Sequence, residues 1–359
     1  MTNTFPDYEG ITCPLPLPHN ERIVMGHGSG GKMSYDLISK IFLPSFDNPI
    51  LKTGDDAGLI TIPNDGGDTF TKLAISTDSH VVMPLFFPGG DIGRLAICGT
   101  VNDISMLGAT PLYMTSGFVL EEGLDVDTLY KVVESMREAA TEANIQIIAG
   151  DTKVVQNGKA DGMYINTTGV GIVPKGINIS GTNAQPGDVV IVSGTIGDHG
   201  IAVLAARGEL KFETQIKSDV SPLNGLVASM LETTKEIHVL RDPTRGGLAT
   251  SLNEIALQSQ VGIMIYEDNI PIRPAVEAAC EMLGFDVLYV ANEGKLIAIV
   301  EKNHAERLLD AMKKHPLGAD AEIIGTVAER PDRHVMLKTT FGTTRMVDMM
   351  SGEMLPRIC

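Results

Sequence analysis

The chain has 359 residues, enough for two compact domains, and 43% of them are hydrophobic, which supplies a full core and excludes global disorder. Its 28 Lys and Arg stand against 45 Asp and Glu, a formal charge of −17 that argues against binding nucleic acid or an anionic membrane surface. Any nucleotide site must therefore gather positive charge locally, from metal ions, a few basic side chains and backbone amides.

Residues 1–22 contain CPLPLPH and read as a Pro-rich extension outside the fold. The opening MTNTFPDYEG lacks the basic-then-apolar layout of a signal peptide, and no later apolar run has the length of a membrane span. A helix is expected over 33–43, a strand over 73–77, and a helix over 128–143 with Leu129, Val132, Val133, Met136 and Ala140 on one face. Strands are expected at 145–150 and 163–173. Pro, Gly and Asn cluster at 174–188 and mark a junction between domains 23–178 and 179–350. Beyond it the pattern gives a strand at 189–194, helices at 199–207, 221–233 and 247–258, and strands at 261–266, 287–291 and 295–300. A helix at 304–314 and further short strands follow. The fold class is mixed α/β (α+β) in two domains, and residues 351–359, SGEMLPRIC, read as a mobile tail.

Cys13, Cys98, Cys280 and Cys359 show neither CxxC pairing nor metal-ligand spacing, so a reduced cytoplasmic protein is expected. Cys98 and Cys280 fall among Ala, Ile and Leu on helices and read as small core residues.

The stretch GHGSGGKM (26–33) matches a P-loop up to its last position, where Met33 replaces the Ser or Thr that would hold Mg²⁺. Gly28, Ser29, Gly30 and Gly31 would still offer amides to phosphate, and Lys32 a point charge. Taken alone, the stretch is better explained as a flexible Gly-rich turn with a solvated lysine. Four acidic motifs add weight: Asp55 and Asp56 in TGDDAG, Asp78 in STDS, Asn102 and Asp103 in VNDI, and Asp151 with Thr152 in GDTK. Converging loops of this kind would make a metal–nucleotide site, because Mg²⁺ takes oxygen ligands, usually one or two carboxylates plus phosphates. Each Asp taken singly is as well explained by a turn or a helix cap.

In the second half, RDPTRGG (241–247) offers the amides of Thr244, Gly246 and Gly247 and the side chain of Arg245 to an anion, or is an ordinary helix cap. ANEGK (291–295) sets Glu293 in a turn, as a candidate general base or a solvated carboxylate. His199 in GDHG reads as a capping or packing residue. Cys359 is the last residue, so it is not a prenylation site, which needs three residues after the Cys. A nine-residue tail spans roughly 30 Å when extended, enough to reach another protein's site.

HGSGGK, STDS, PLFFPGGDIGRLAICGTVNDISMLGA (84–109), GFVLEEGL, GDTKVV, SGTIGDHG, RDPTRGG, NEGK and the terminal PRIC resemble the HypE family of hydrogenase maturation proteins. The resemblance runs from about His27 to Cys359. The wider relatives are ATP-using enzymes of the aminoimidazole ribonucleotide synthetase type, which include selenophosphate synthetase. The resemblance implies a two-domain fold that dimerises through N-terminal sheets and holds ATP and Mg²⁺ at the interface. It further implies that a carbamoyltransferase, HypF, loads Cys359 with a carbamoyl group. ATP-dependent dehydration would turn this into a thiocyanate, the source of the cyanide ligand for iron of [NiFe] hydrogenase on a HypC–HypD complex. On this reading Asp55, Asp56, Asp78, Asp103 and Asp151 hold the metal, joined at the nucleotide by Gly30, Gly31, Lys32, Asn102 and Thr152. Cys359, Glu293 and Lys153 carry the chemistry, with Glu293 as base and Lys153 orienting the amide. A related synthetase acting on a diffusible small molecule would use the same loops and ignore Cys359. The Pro-rich N-terminus with Cys13 departs from the family pattern.

Overall fold

The computed structural model describes residues 22–64, 70–208, 215–329, 333–350 and 358. The extension through residue 21 with Cys13, most of the tail, and Cys359 lie outside the described residues. A 3₁₀ turn (Met25–Gly28) leads into α1 (Lys32–Leu37), which runs through a π turn (Ile38–Phe42) into α2 (Leu43–Ser45). The first half continues with β1 (Gly58–Pro63), β2 (Phe70–His80), β3 (Phe86–Phe87), β4 (Gly90–Asp91) and α3 (Ile92–Met106). After these come β5 (Thr110–Glu121), α4 (Val126–Glu142), β6 (Gln146–Val155) and β7 (Met163–Val173).

The five long strands form one sheet in the order β1-β2-β7-β5-β6, antiparallel except for the β5–β6 pair that α4 connects. Burial alternates along β7, with Met163, Ile165, Thr167, Gly169, Gly171 and Val173 facing α3. Gly169 and Gly171 are needed there, because a Cβ on either would stand 2.6 or 2.5 Å from side-chain carbons of Ile104. The helix thus lies close enough to the sheet to bring Asp103 against β2. Asp91 starts α3: its Oδ1 accepts from the amides of Gly93 (2.7 Å) and Arg94 (3.2 Å), while Oδ2 accepts from Ser135 of α4 (2.5 Å).

The second half runs β8 (Val189–Val192), α5 (Asp198–Ala206), α6 (Asn224–Thr233), β9 (Ile237–Arg241), α7 (Gly247–Ser259), β10 (Gly262–Tyr266) and α8 (Pro274–Leu283). It ends with β11 (Ile297–Val300), α9 (Ala305–Lys313), β12 (Glu322–Ala328), β13 (Val335–Lys338) and β14 (Thr344–Val347). Its seven strands pair in the order β14-β13-β10-β12-β8-β11-β9. One buried cluster includes residues of α3, β7, α6, α9 and β8, together with Ile177 and Ile179 from the junction. The halves therefore share a continuous core.

Three expectations are corrected. The apolar run 287–291 is not a strand. It forms a 3₁₀ turn (Val287–Tyr289), because the Asp286 side chain accepts from the Leu288 amide at 3.0 Å and closes the backbone locally. Along α4 the buried residues are Val132, Met136, Ala139 and Ala140, whereas Val133 is exposed. The strand at 145–150 extends to Val155 and forms the sheet edge.

Candidate active site

The ends of five segments carry carboxylates into one buried region between the halves. Asp56 precedes β1, Asp78 lies near the end of β2, Asp103 sits on α3, Asp242 follows β9, and Glu293 precedes β11. Asp56 is ion-paired with the buried Arg241, whose guanidinium also donates to the Gly54 carbonyl at 3.1 Å. Ser76 donates to Asp103 Oδ2 at 2.6 Å, and His80 Nε2 lies 3.7 Å from Asp78 Oδ2. Burial, then repulsion from Asp242, Asp78 and Asp56, holds the Asp103 carboxyl well above the usual carboxylate range. Burial, then Asp56, does the same to Asp242. Asp78 is the exception. Burial pushes it up, but His80 and Arg245 together bring it below the usual range. Burial lowers His80 in turn, against the opposing pull of Asp78.

Glu293 is 4% exposed, and its Oε1 is buried without a hydrogen-bond partner among the described residues. Burial, then Asp242, Asp78 and Asp219, raises its carboxyl well above the usual range, against a smaller opposing effect of Arg245. The backbone around it is pinned. The Glu293 amide donates to Asp219 Oδ1 (3.0 Å), and its carbonyl accepts from Asn102 Nδ2 (3.2 Å). Asn102 Oδ1 accepts from the Leu223 amide at 2.8 Å. Asn292 Oδ1 accepts from the Gly197 amide (2.7 Å), and Lys295 pairs with Asp219 Oδ2 at 3.3 Å. A raised carboxyl with an unsatisfied oxygen, held on rigid backbone, is the arrangement expected of a general base.

The penultimate residue reaches the same region. Ile358 is 4% exposed, forms an antiparallel bridge to Val82, and belongs to a buried cluster that includes Val203, Val220 and Ala291. Its carbonyl lies 2.7 Å from His199 Nε2.

Comparison with known proteins fits this architecture. Residues 54–173 match the family described as AIR synthase related protein, N-terminal domain, and residues 185–338 match its C-terminal domain. A protein of Cupriavidus necator named carbamoyl dehydratase HypE is 53% identical over 350 residues, 98% of each chain. The chain belongs to the HypE family. A crystal structure of a HypE–HypF complex is similar with a TM-score of 0.82 at 51% identity, over 88% of this chain and 99% of that one. HypE in complex with ATP gives a TM-score of 0.78 at 48% identity, over 94% and 100%. Membership of the HypE family brings with it the two-domain AIR synthase-related fold.

The residues expected to act together divide into two groups. Asp56, Asp78, Asp103 and Glu293 share the buried region, and Asp55 borders it but spends its oxygens on Ser180 Oγ and the Gly181 amide. Asn102 is a structural tie rather than a nucleotide contact, since both ends of its amide are bonded to the 221–223 segment or to Glu293. Asp151, Thr152 and Lys153 are elsewhere. Asp78 aligns with Thr167, Thr167 with Ser116, and Ser116 with Gly150. That row places β6 three strand spacings from β2, about 14 Å. It also turns Asp151 and Lys153 to the opposite face of the sheet from Asp78. There the two pair with each other at 2.6 Å, 69% and 68% exposed. Within one chain, no single ion is shared by Asp78 and Asp151.

Three amides of the Gly-rich loop are taken up by protein contacts. The amide of Gly30 donates to Ser34 Oγ (2.9 Å), that of Ser29 to the Gly26 carbonyl (3.4 Å), and that of Lys32 to the Met350 carbonyl (2.8 Å). Gly30, with φ +79°, lies against Arg245 and so brings the loop to the acidic region. In RDPTRGG, the Thr244 amide donates to the Asp242 carbonyl and the Gly247 amide to the Thr244 carbonyl, both at 3.0 Å. These two amides close a turn at the start of α7. His80 and Asp219, which lie in none of the candidate motifs, complete the site together with Arg241 and Asp242, which open RDPTRGG ahead of the residues expected to meet an anion. The inward-facing row Ala74, Ser76, Asp78, His80 on β2 is a period-2 signal for the first. Asp219 lies in irregular chain and carries no such signal.

Among the described residues, no three His, Cys, Asp or Glu side chains converge into a ready-made metal cage. Mg²⁺ held by a triphosphate needs only one or two carboxylates, however. The mutual repulsion of Asp78, Asp103, Asp242 and Glu293 marks a place where added positive charge is stabilising, and the oxygen-only donors suit Mg²⁺.

Proposed function

We propose that this member of the HypE family converts an S-carbamoyl group on its own Cys359 into a thiocyanate at the expense of ATP, supplying cyanide for the iron of a [NiFe] hydrogenase. The observation that carries the reading is the seating of Ile358, the residue before Cys359, against the segment that bears Glu293. Bound ATP with Mg²⁺ supplies the phosphoryl group that makes the carbamoyl oxygen a leaving group. Atoms balance: the C–O bond breaks, the oxygen departs in phosphate, two N–H protons are given up, and a C≡N bond forms while the sulfur stays attached. Glu293, with its raised carboxyl, accepts one of those protons. Asp78 and Asp103 would hold the Mg²⁺, and Arg245 and Lys32 would offset phosphate charge.

Lys153, with Asp151 and Thr152, would act from a second copy, since within one chain these residues lie apart from Glu293. Homodimerisation through the first sheet is supported by its edge strand β6. Ile148 and Val154 of that strand are 61% and 68% exposed, and its outer backbone edge has no partner strand among the described residues. HypF would load Cys359, as the relative crystallised with HypF suggests, and a HypC–HypD complex would receive the cyanide. Binding of ATP is likewise supported by the relative solved with it. We place the work in the cytoplasm, in keeping with the unpaired thiols of Cys98 and Cys280. On this reading 23–178 is the dimerising nucleotide domain, 179–350 its partner domain, and 351–359 the substrate arm.

The test is ADP formation by protein that has, or has not, been carbamoylated beforehand with HypF and carbamoyl phosphate and then separated from them. ATP turnover that requires a carbamoylated Cys359, and is absent in Cys359→Ala, supports the reading. Equal turnover by both proteins would instead favour a synthetase acting on a diffusible substrate.

A further inference from the structure

We infer that His199 is a positioning residue for the tail: a neutral imidazole that sets how deeply the chain end enters, by donating to the backbone carbonyl of Ile358. The inference rests on the reading of Cys359 as the reacting thiol. Sequence context alone makes His199 a helix-start packing residue, and it does stand in the first turn of α5, fully buried. Its hydrogen bonds go further. A carbonyl only accepts, so Nε2 carries the proton towards Ile358 O at 2.7 Å. Nδ1 is then an acceptor and takes the Ser218 hydroxyl proton at 2.8 Å. Ser218 Oγ in turn accepts from the Val220 amide at 3.1 Å. One tautomer satisfies every group in this series, and the ring is held edge-on to Phe87 at 5.5 Å and 89°. Burial lowers the His199 pKa, which keeps the ring neutral and this tautomer intact.

The ring is also fixed relative to Glu293. On either side of it, the Gly197 amide donates to Asn292 Oδ1 (2.7 Å) and the Gly200 amide to the Ala291 carbonyl (3.1 Å). The start of α5 and the segment leading into Glu293 therefore move as one unit. A contact to a backbone carbonyl reads chain position rather than side-chain identity. With the Ile358 side chain buried and its backbone bridged to Val82, that contact fixes the register of the last peptide against the base. When the tail leaves, Nε2–H loses the acceptor it has here.

The experiment uses the full-length protein with His199→Ala and His199→Gln, the glutamine retaining an N–H donor near the Nε2 position. Three rates are read: iodoacetamide labelling of Cys359 in the C-terminal peptide, loading by HypF, and single-turnover dehydration of loaded protein. In His199→Ala, labelling should rise on the order of tenfold, the worth of one hydrogen bond of this kind. Loading should stay within about twofold, and dehydration should fall by on the order of ten- to a hundredfold, as expected when a reacting group is held loosely. The glutamine variant should recover most of both changes. Native labelling and native dehydration in a folded His199→Ala protein would overturn the inference. If His199→Ala does not fold, His199→Asn supplies the comparison, since its shorter amide can still meet Ser218 but falls short of the Ile358 carbonyl, and native labelling there is equally contrary. Labelling does not depend on the chemistry, so absence of dehydration in the unmodified protein would count against the reaction and not against the latch.

Discussion

Gly31 and Met350 touch at a point where no side chain fits: a Cβ on Gly31 would stand 2.3 Å from the Met350 carbonyl oxygen, which accepts from the Lys32 amide at 2.8 Å. The Gly-rich loop is thus joined to the last residue before the tail. Movement of one must be felt by the other.

Gly31→Ala should therefore break the Lys32–Met350 bond and cost about 1–3 kcal/mol, as overpacking does. Gly28→Ala is the matched control, since a Cβ there meets nothing within 4 Å. Thermal unfolding of the pair, with hydrogen exchange at 345–350, checks this. Equal behaviour of the two variants would remove the contact as a constraint.

Glu293→Gln should raise stability at neutral pH and slow turnover. The folded-state pKa of Glu293 lies above its unfolded value, so the folded protein binds the extra proton. Stability contributed by this group is complete below the unfolded pKa and falls as pH rises towards the folded one. At neutral pH ionising this buried carboxyl is a cost, and its replacement by the neutral amide should be stabilising there. Loss of a general base should slow dehydration about 10²–10⁴-fold. In the native protein the rate should climb with pH through an inflection above about 4.3, the ordinary Glu value. Melting curves of the variant from pH 5 to 8, set beside a pH–rate profile, read both effects.

Arg241→Ala should destabilise by about 3–5 kcal/mol, because Asp56 would keep its burial and lose its counter-charge. Urea unfolding measures it. A cost under about 1 kcal/mol would mean the pair is solvated in solution.

Asp78→Asn should weaken Mg–ATP binding at least tenfold and leave loading by HypF unchanged. Against burial, His80, Arg245 and the Ser79 amide together hold the carboxyl in its ionised form, ready to meet a cation, and the amide side chain of Asn lacks that charge. Calorimetry giving native affinity would take Asp78 out of the nucleotide site.

Much of this was readable where local chemistry and tertiary structure agree. The strand over 163–173 alternates cleanly because one face meets α3, and GDD, STDS, VND and NEGK each stand at the end of an element, where side chains converge. The run 287–291 misled because a strand and a tight turn share the same apolar content, and Asp286 decides between them. Burying Glu293 takes contacts from Asn102 and Asp219, 191 and 74 residues away, which no local pattern records. The separation of Lys153 from Glu293 is set by the β2-β7-β5-β6 strand order, a property of sheet pairing. His199 was legible as a helix start, but its hold on Ile358 spans 159 residues.

The central claim is that the terminal thiol carries the group being dehydrated. Intact-mass analysis of the protein incubated with HypF, carbamoyl phosphate and Mg–ATP tests it most directly, with Cys359→Ala as control. The account predicts first the addition of one carbamoyl group, then the loss of one water from that adduct, both confined to the C-terminal peptide and absent in the variant. A carbamoyl adduct that stays unchanged in the presence of ATP, or a dehydrated product that also forms in Cys359→Ala, would contradict it.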